Sequence, residues 1–299
     1  MGLSITSNFA GTHAGVYISA ALKAAKSLDH LTILENVKYK QNVTKVAGAS
    51  LVANASCDFT DAGTLTLTEK VLTPKALQIN VDLCKKDLLS SWEALQMGAG
   101  AHNRNADDFN AFVMSYLAAS IADGIEGAIW SGTDAGAGSF EGFLTATTGH
   151  FAVDGGVVSS TASAAYTAAN IVANLQTLAA DIPADVYGKE DLHIYMNNKT
   201  YRFYISAISA LSAFPFNHMG QYEPEFEGIK IAVVNGMPDN QMVAAQKSNL
   251  YFGTDLVSDA AEIRMLDMSE LDGSDNVRVV AKYTAGVQLG VGADIVHQS

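Results

Sequence analysis

Seven histidines are the side chains most able to bind a metal or move a proton near neutral pH. They stand at His13, His30, His102, His150, His193, His218 and His297. No two are three or four apart, the spacing that would bring two imidazoles onto one helix face as metal ligands. Asp123 and Glu126 are three apart and could present paired carboxylates for acid–base work. The apolar stripe of the same segment makes a solvated face the expected setting for both. Asp267, Asp272 and Asp275 invite a calcium reading, but the ligand order of an EF-hand loop is missing. Cys57 and Cys84 make neither a metal-ligand pair nor a disulfide framework, and are expected to be reduced thiols. Gly48-Ala49-Ser50 lacks the second glycine of a nucleophile elbow. Gly136-Ala137-Gly138 runs on into Ser139, Phe140 and Glu141, so it reads as a loop and not as a dinucleotide fingerprint. The opening Met1-Gly2-Leu3-Ser4-Ile5-Thr6 fits a myristoylation pattern, but so short a match recurs by chance. The expectation is a chain with no catalytic, cofactor-binding or metal residues.

Composition agrees with a chain that does no chemistry. Of 299 residues, 48% are hydrophobic and only 16% charged, against about a quarter in typical soluble domains. Sparse charge suits a surface covered by other copies, since charge is depleted at interface centres. It equally suits a soluble monomer with a small-residue surface. A net charge of −13 argues against a protein that grips DNA phosphates. An acidic wall facing packaged nucleic acid would repel it. No apolar run of the length of a membrane span is free of charge, and no basic region precedes an apolar core at the N-terminus.

The elements that must position these residues follow from periodicity. Residues 1–34 read as an arm with one helix. Ala14, Tyr17, Ile18, Ala21, Leu22 and Ala25 form its stripe, Thr12 its cap, and Lys23 and Lys26 suit its C-terminal end. Residues 35–83 turn β-like. Val37, Tyr39, Val43 and Val46 precede a polar tip near Ser56–Gly63. Leu65, Leu67, Val71, Leu77, Ile79, Val81 and Leu83 then fall at odd positions around Pro74. The expectation is a long hairpin with one apolar face, too thin to stand alone. Residues 105–131 read as a long helix. Phe109, Phe112, Val113, Tyr116, Leu117, Ile121, Ile125 and Ile129 repeat along it, Asn105 caps it and Gly132 ends it. Residues 132–160 read as a loop, and a second helix is expected over 164–180. A strand follows at 192–196, then a third helix capped by Asn197. Further strands are expected at 229–234, 242–245, 262–268, 277–283 and 286–290. Without a regular βαβ rhythm, the class is α+β.

This order is similar to the layout of tailed-phage major capsid proteins of the Hong Kong 97 type, and several stretches look alike. Glu126-Gly-Ala-Ile-Trp-Ser-Gly132 resembles that family's exit from its spine helix, and Asn197-Asn-Lys-Thr-Tyr201 its strand-to-helix turn. Gly228-Ile-Lys-Ile-Ala-Val-Val-Asn-Gly236 and Asn249-Leu-Tyr-Phe-Gly-Thr-Asp255 resemble its later strands. Asn276-Val-Arg-Val-Val-Ala-Lys-Tyr-Thr-Ala-Gly-Val-Gln288 resembles its closing pair. The likeness is firmest over residues 105–299.

The resemblance implies an N-arm at 1–34, an extended E-loop with flanking strands at 35–83, and a P-domain at 84–132 and 255–284 with 105–131 as spine. It implies an A-domain at 133–254 and 285–299. It further implies pentamers and hexamers closing an icosahedral bacteriophage head around double-stranded DNA, in a virion assembled in the host cytoplasm. The partners would be the chain itself, a portal, and scaffolding or decoration proteins; no membrane and no sequence-specific DNA contact are expected. Met1 stands only about a dozen residues ahead of the arm helix, so scaffold is expected to be a separate protein. Some relatives weld subunits through Lys–Asn isopeptide bonds assisted by Glu. Lys40, Asn42, Lys45 and Glu69 lie in the loop region, but they read as surface polar residues. The alternatives are an encapsulin-like compartment of the same fold and an intracellular hydrolase with a dispersed triad.

Overall fold

The computed structural model describes residues 26–49, 54, 57, 63–84, 107–136, 138–162, 165–210, 224–255, 263–271 and 273–299. The expected arm helix lies outside them. Helix α1 (Asp107–Ser131) is the expected long helix. Leu117, Ile121, Ile125, Ala128 and Ile129 are buried along it, at the spacing of one helix face. Each buried Ile contributes about 1.5–3 kcal/mol of transfer free energy. The helix stops where Gly132 meets the returning chain: a Cβ there would lie 2.3 Å from the Phe140 carbonyl oxygen.

Against α1 lies a five-stranded sheet of β1 (Thr32–Leu34), β4 (Lys75–Cys84), β10 (Leu250–Gly253), β11 (Ile263–Asp267) and β12 (Asn276–Leu289). The two strands expected at 277–283 and 286–290 are one continuous strand, because β4 pairs with β12 from Cys84↔Asn276 to Lys75↔Ala285 and β10 takes up its last residues. Val277, Val279 and Ala281 face inward while Arg278 and Lys282 point to solvent, the alternation of a sheet wet on one face.

A second, six-stranded sheet runs in the order β5 (Val158–Ser160), β13 (Val296–Gln298), β9 (Met242–Gln246), β6 (Leu192–Met196), β8 (Ile229–Val233), β7 (Glu225–Phe226). It is buried on both faces. Tyr195 and Val243, paired across β6 and β9, enter the core beneath α1. Ile194, Met196, Met242 and Ala244 enter a second core under α3 (Ile171–Ala180) and α4 (Asn198–Ala210). Helix α4 begins as expected, with Thr200 N–H donating to Asn197 Oδ1 at 2.7 Å. Helix α3 starts later than expected. Asn170 Oδ1 accepts from the Thr167 amide and hydroxyl, and that local turn takes the place of the helix's first residues. The 132–160 loop contains the short helix α2 (His150–Asp154) and strand β5.

The expected one-faced hairpin needs the largest correction. Among the described residues strand β2 (Gln41–Ala49) pairs only with β3 (Thr64–Leu72), and the strand breaks at Thr73–Pro74. Beyond the break β4 belongs to the other sheet. Leu77 and Leu83 are buried there, whereas Leu65, Leu67 and Val71 lie in the open. The odd-position pattern therefore spans two strands with different partners, not one apolar face.

Candidate functional site: the turn at residues 26–30 and the β2–β3 hairpin

Glu126 does not lie on a solvated face. It is fully buried, and its carboxylate gathers three distant parts of the chain. Oε2 accepts the Ser27 amide at 2.9 Å, and Oε1 accepts the Ser27 hydroxyl at 2.8 Å. Oε1 also accepts the backbone amides of Asn235 (3.0 Å) and Gly236 (3.1 Å). Trp130 Nε1 donates to Ser27 Oγ at 2.7 Å, which orients the hydroxyl toward the carboxylate. The turn can come so close only because residue 236 is glycine: a Cβ would lie 1.9 Å from the Glu126 carbonyl oxygen. Asp123 remains half-buried, one helical turn away.

Ser27 belongs to a 3-10 turn, Lys26–His30, gripped from two further sides. Lys247 Nζ donates to the Asp29 carbonyl at 2.7 Å and the Tyr195 hydroxyl to the His30 carbonyl at 2.8 Å. Burial, with Asp191 adding to it, pushes the Tyr195 phenol far up, so it is a permanent donor. The His30 and His193 rings lie 5.2 Å apart, a pair brought together from positions too distant in sequence to suggest it. Among the described residues no three His, Cys, Asp or Glu side chains cluster as a metal site. Four neutral donors occupy the Glu126 oxygens, so the group anchors the chain and offers no open face to a substrate. Sequence reasoning missed it, although one signal was present. Ile125, Ala128, Ile129 and Trp130 surround it on every side of the helix, and a helix apolar all round is buried.

The other candidates disperse. His13, His102, His218 and Asp272 lie outside the described residues. Asp267 caps a short turn by accepting the Ser269 amide at 3.0 Å. Cys57 is exposed and Cys84 half-buried, both free. His150 and His297 flank Phe143 and Phe151, with ring separations of 6.3 and 6.0 Å. His297 also lines a cavity of about 220 Å³ with Phe143, Phe151 and Val157. Burial lowers the pKa of both histidines, with Glu141 partly opposing it at His150.

That lowering sets a pH dependence. Above the ordinary value of 6.5 both rings are neutral, folded or unfolded, and stability is flat. As pH falls below it, the unfolded chain takes up protons that the folded chain refuses, so stability declines until the folded rings titrate. Thermal unfolding between about pH 7.5 and about pH 5, above the range of ordinary carboxylates, is expected to show this decline. The double variant His150→Gln/His297→Gln should flatten it; an unchanged slope would remove these two rings as its source.

The hairpin is the second feature. Opposed residues share a face, so Val46 and Leu67 lie together with Leu65 and Val71. These four side chains are 43–62% exposed. Asn42 and Glu69 share that face and join at 2.9 Å, while Lys40 sits 5.2 Å over the Tyr39 ring. Lys45 alternates to the other face, so strand geometry separates it from the Asn42–Glu69 pair.

No family model and no curated protein matches the chain. Solved structures do. The capsid of the empty GTA particle superposes with a TM-score of 0.62 at 15% identity, covering 94% of this chain and 91% of that one. The capsid of Myoviridae phage XM1 gives 0.60 at 13% identity, covering 96% of each chain. That of cyanophage P-SCSP1u gives 0.55 at 15% identity, covering 97% and 92%. The chain therefore has the fold of these phage-type capsid subunits, Hong Kong 97-like and α+β, over nearly its whole length. Among the described residues no helix is long and apolar enough to cross a membrane.

Proposed function

We propose that this chain is the major capsid protein of a tailed double-stranded DNA phage, self-assembling as pentamers and hexamers into an icosahedral head. The observation that carries this reading is the capsid fold, matched over 94% of this chain in the GTA capsid and 96% in that of phage XM1. The exposed apolar face of the β2–β3 hairpin supports it. An isolated two-stranded hairpin is marginal in water, and one with a row of exposed Val and Leu gains stability when a second subunit covers it. The resemblance also implies the portal, separate scaffolding, decoration partners and the domain boundaries given above. The DNA would face an acidic chain and be contained without being held. The role is structural, and no residue is assigned to catalysis.

Purified protein viewed by negative-stain microscopy tests this directly. Closed shells, or capsomers that convert to shells on adding a crowding agent, are the expected result. A discrete monomer or dimer under all assembly conditions sinks the reading. A related result concerns the arm. Deleting residues 1–26 leaves Ser27 and its socket in place, so the subunit should fold and melt as the full chain does, yet fail to close particles. Normal shells from the truncated chain would remove the arm from assembly.

A further inference from the structure

The root of the hairpin is seated on the body by contacts that flank the break between β3 and β4. On one side Lys70 forms an ion pair with Asp154 at the end of α2; the two side chains are 29% and 14% exposed. The Asp154 carboxylate lies in a niche left by two glycines. A Cβ on Gly292 would fall 1.6 Å from its Oδ2, and one on Gly156 3.2 Å away. On the other side Lys75 Nζ binds Asp134, at 3.0 Å to Oδ1 and 2.6 Å to the carbonyl oxygen. Between them Leu72 is fully buried in a notch whose floor is Gly253, and Pro74 rests on Gly286. Gln288 Nε2 donates to the Val71 carbonyl at 2.9 Å. Outward from Lys70, among the described residues, the strands pair with each other alone.

This arrangement is a pivot with a latch. Leu72 and Pro74 provide a compact apolar bearing, about which a two-stranded ribbon can tilt without losing its own ladder. The Lys70–Asp154 ion pair and the Gln288–Val71 hydrogen bond hold the ribbon on the hairpin side of the break, whereas Lys75–Asp134 lies beyond it, where Lys75 is already paired in the body sheet opposite Ala285 and fixes the base of the pivot. We propose that Lys70–Asp154 forms an ionic latch that sets the angle at which the β2–β3 hairpin projects from the base fixed by Lys75. The subunit can thereby present the Val46–Leu67 face at one angle with the latch closed and at others with it open. The latch is regulatory: ionic conditions or a neighbour's charges can release it without unfolding the subunit. It rests on the capsid reading for its purpose, but not for its existence.

The test reads the angle in unassembled full-length subunits, so it holds whether or not shells form. Thr66→Cys, exposed on β3, carries one spin label, and Val153→Cys, on the exposed side of α2, carries the other, in a Cys57→Ala/Cys84→Ala background. Pulsed electron–electron distances should give one narrow population. Lys70→Glu should broaden or shift it, Asp154→Lys should do the same, and the double swap should restore the narrow population. The same broadening should appear in the labelled protein without charge changes between about 0.1 M and about 1 M salt, as the screening length falls from ~10 Å to ~3 Å. Distances unmoved by either reversal and by salt overturn the latch, as does a swap that melts normally but fails to restore the narrow population. Shell formation, scored separately by microscopy, reports on the capsid reading: a working latch in a chain that never assembles would overturn that reading alone.

Discussion

Glu126→Ala is expected to lose about 3–5 kcal/mol of unfolding free energy, a large fraction of what a domain possesses. The substitution removes the acceptor of the Ser27 amide, the Ser27 hydroxyl and the Asn235 and Gly236 amides at once. Each amide left buried without a partner costs about 1–3 kcal/mol, and the empty space adds a cavity term. Glu126→Gln separates anchoring from packing. The oxygens are unequal: Oε1 serves three donors and Oε2 only the Ser27 amide. A glutamine that keeps its carbonyl at the Oε1 position holds the turn at 235–236 but points an NH2 group at the Ser27 amide. The expected loss is about 1–2 kcal/mol, concentrated at residues 27–34. Denaturant unfolding measures both values. Hydrogen exchange should show the amides of residues 27–34 opening in the Gln variant while β6 and β9 stay protected. Uniform loss across β6, β9 and residues 27–34 would make Glu126 an ordinary core residue instead of an anchor for the turn at 26–30.

That anchor shows where sequence reading succeeds and where it stops. Helices α1 and α4 were legible because Ile121, Ile125 and Ile129, and the Asn197 cap, encode their positions locally. The strands around 192–196 and 229–233 were legible for the same reason. The role of Glu126 was not, since its partners lie 99 to 110 residues away, and in helical projection it sits one turn from Asp123 and looks polar. The run from Leu65 to Leu83 misled in another way. Alternation of period two tells which side of a strand is apolar, but not what that side meets. The same parity continued across Pro74 while the partner changed from β2 to β12. His30 and His193 are a third case, adjacent only because the turn at residues 26–30 docks beside β6. Contacts formed by tertiary docking leave no local period.

The hairpin face gives the second large effect, one that should appear in assembly and not in the subunit. Leu67 is 62% exposed and Val46, opposite it, 58%. In the isolated chain Leu67→Asp exchanges an exposed apolar side chain for an exposed charge, and such surface changes fall within about ±0.5 kcal/mol. Thermal unfolding of the subunit should therefore be unchanged. In a shell whose subunits cover that face, as proposed, an aspartate there would be a buried charge without a partner, costing several kcal/mol per contact. About 1.4 kcal/mol is a factor of ten in an equilibrium constant, and every subunit of a closed particle carries the penalty. Particle yield should fall by more than about tenfold. Leu67→Thr, which keeps strand propensity and adds no charge, should retain most of it. The control is Leu271→Asp, at a turn residue 72% exposed that lies between β11 and β12 and outside the β2–β3 pair. If exposed apolar residues mattered only in bulk, both aspartates would reduce assembly alike. If the hairpin face is the contact, Leu67→Asp alone abolishes shells, and Leu67→Asp subunits that assemble normally would show that this face stays in water.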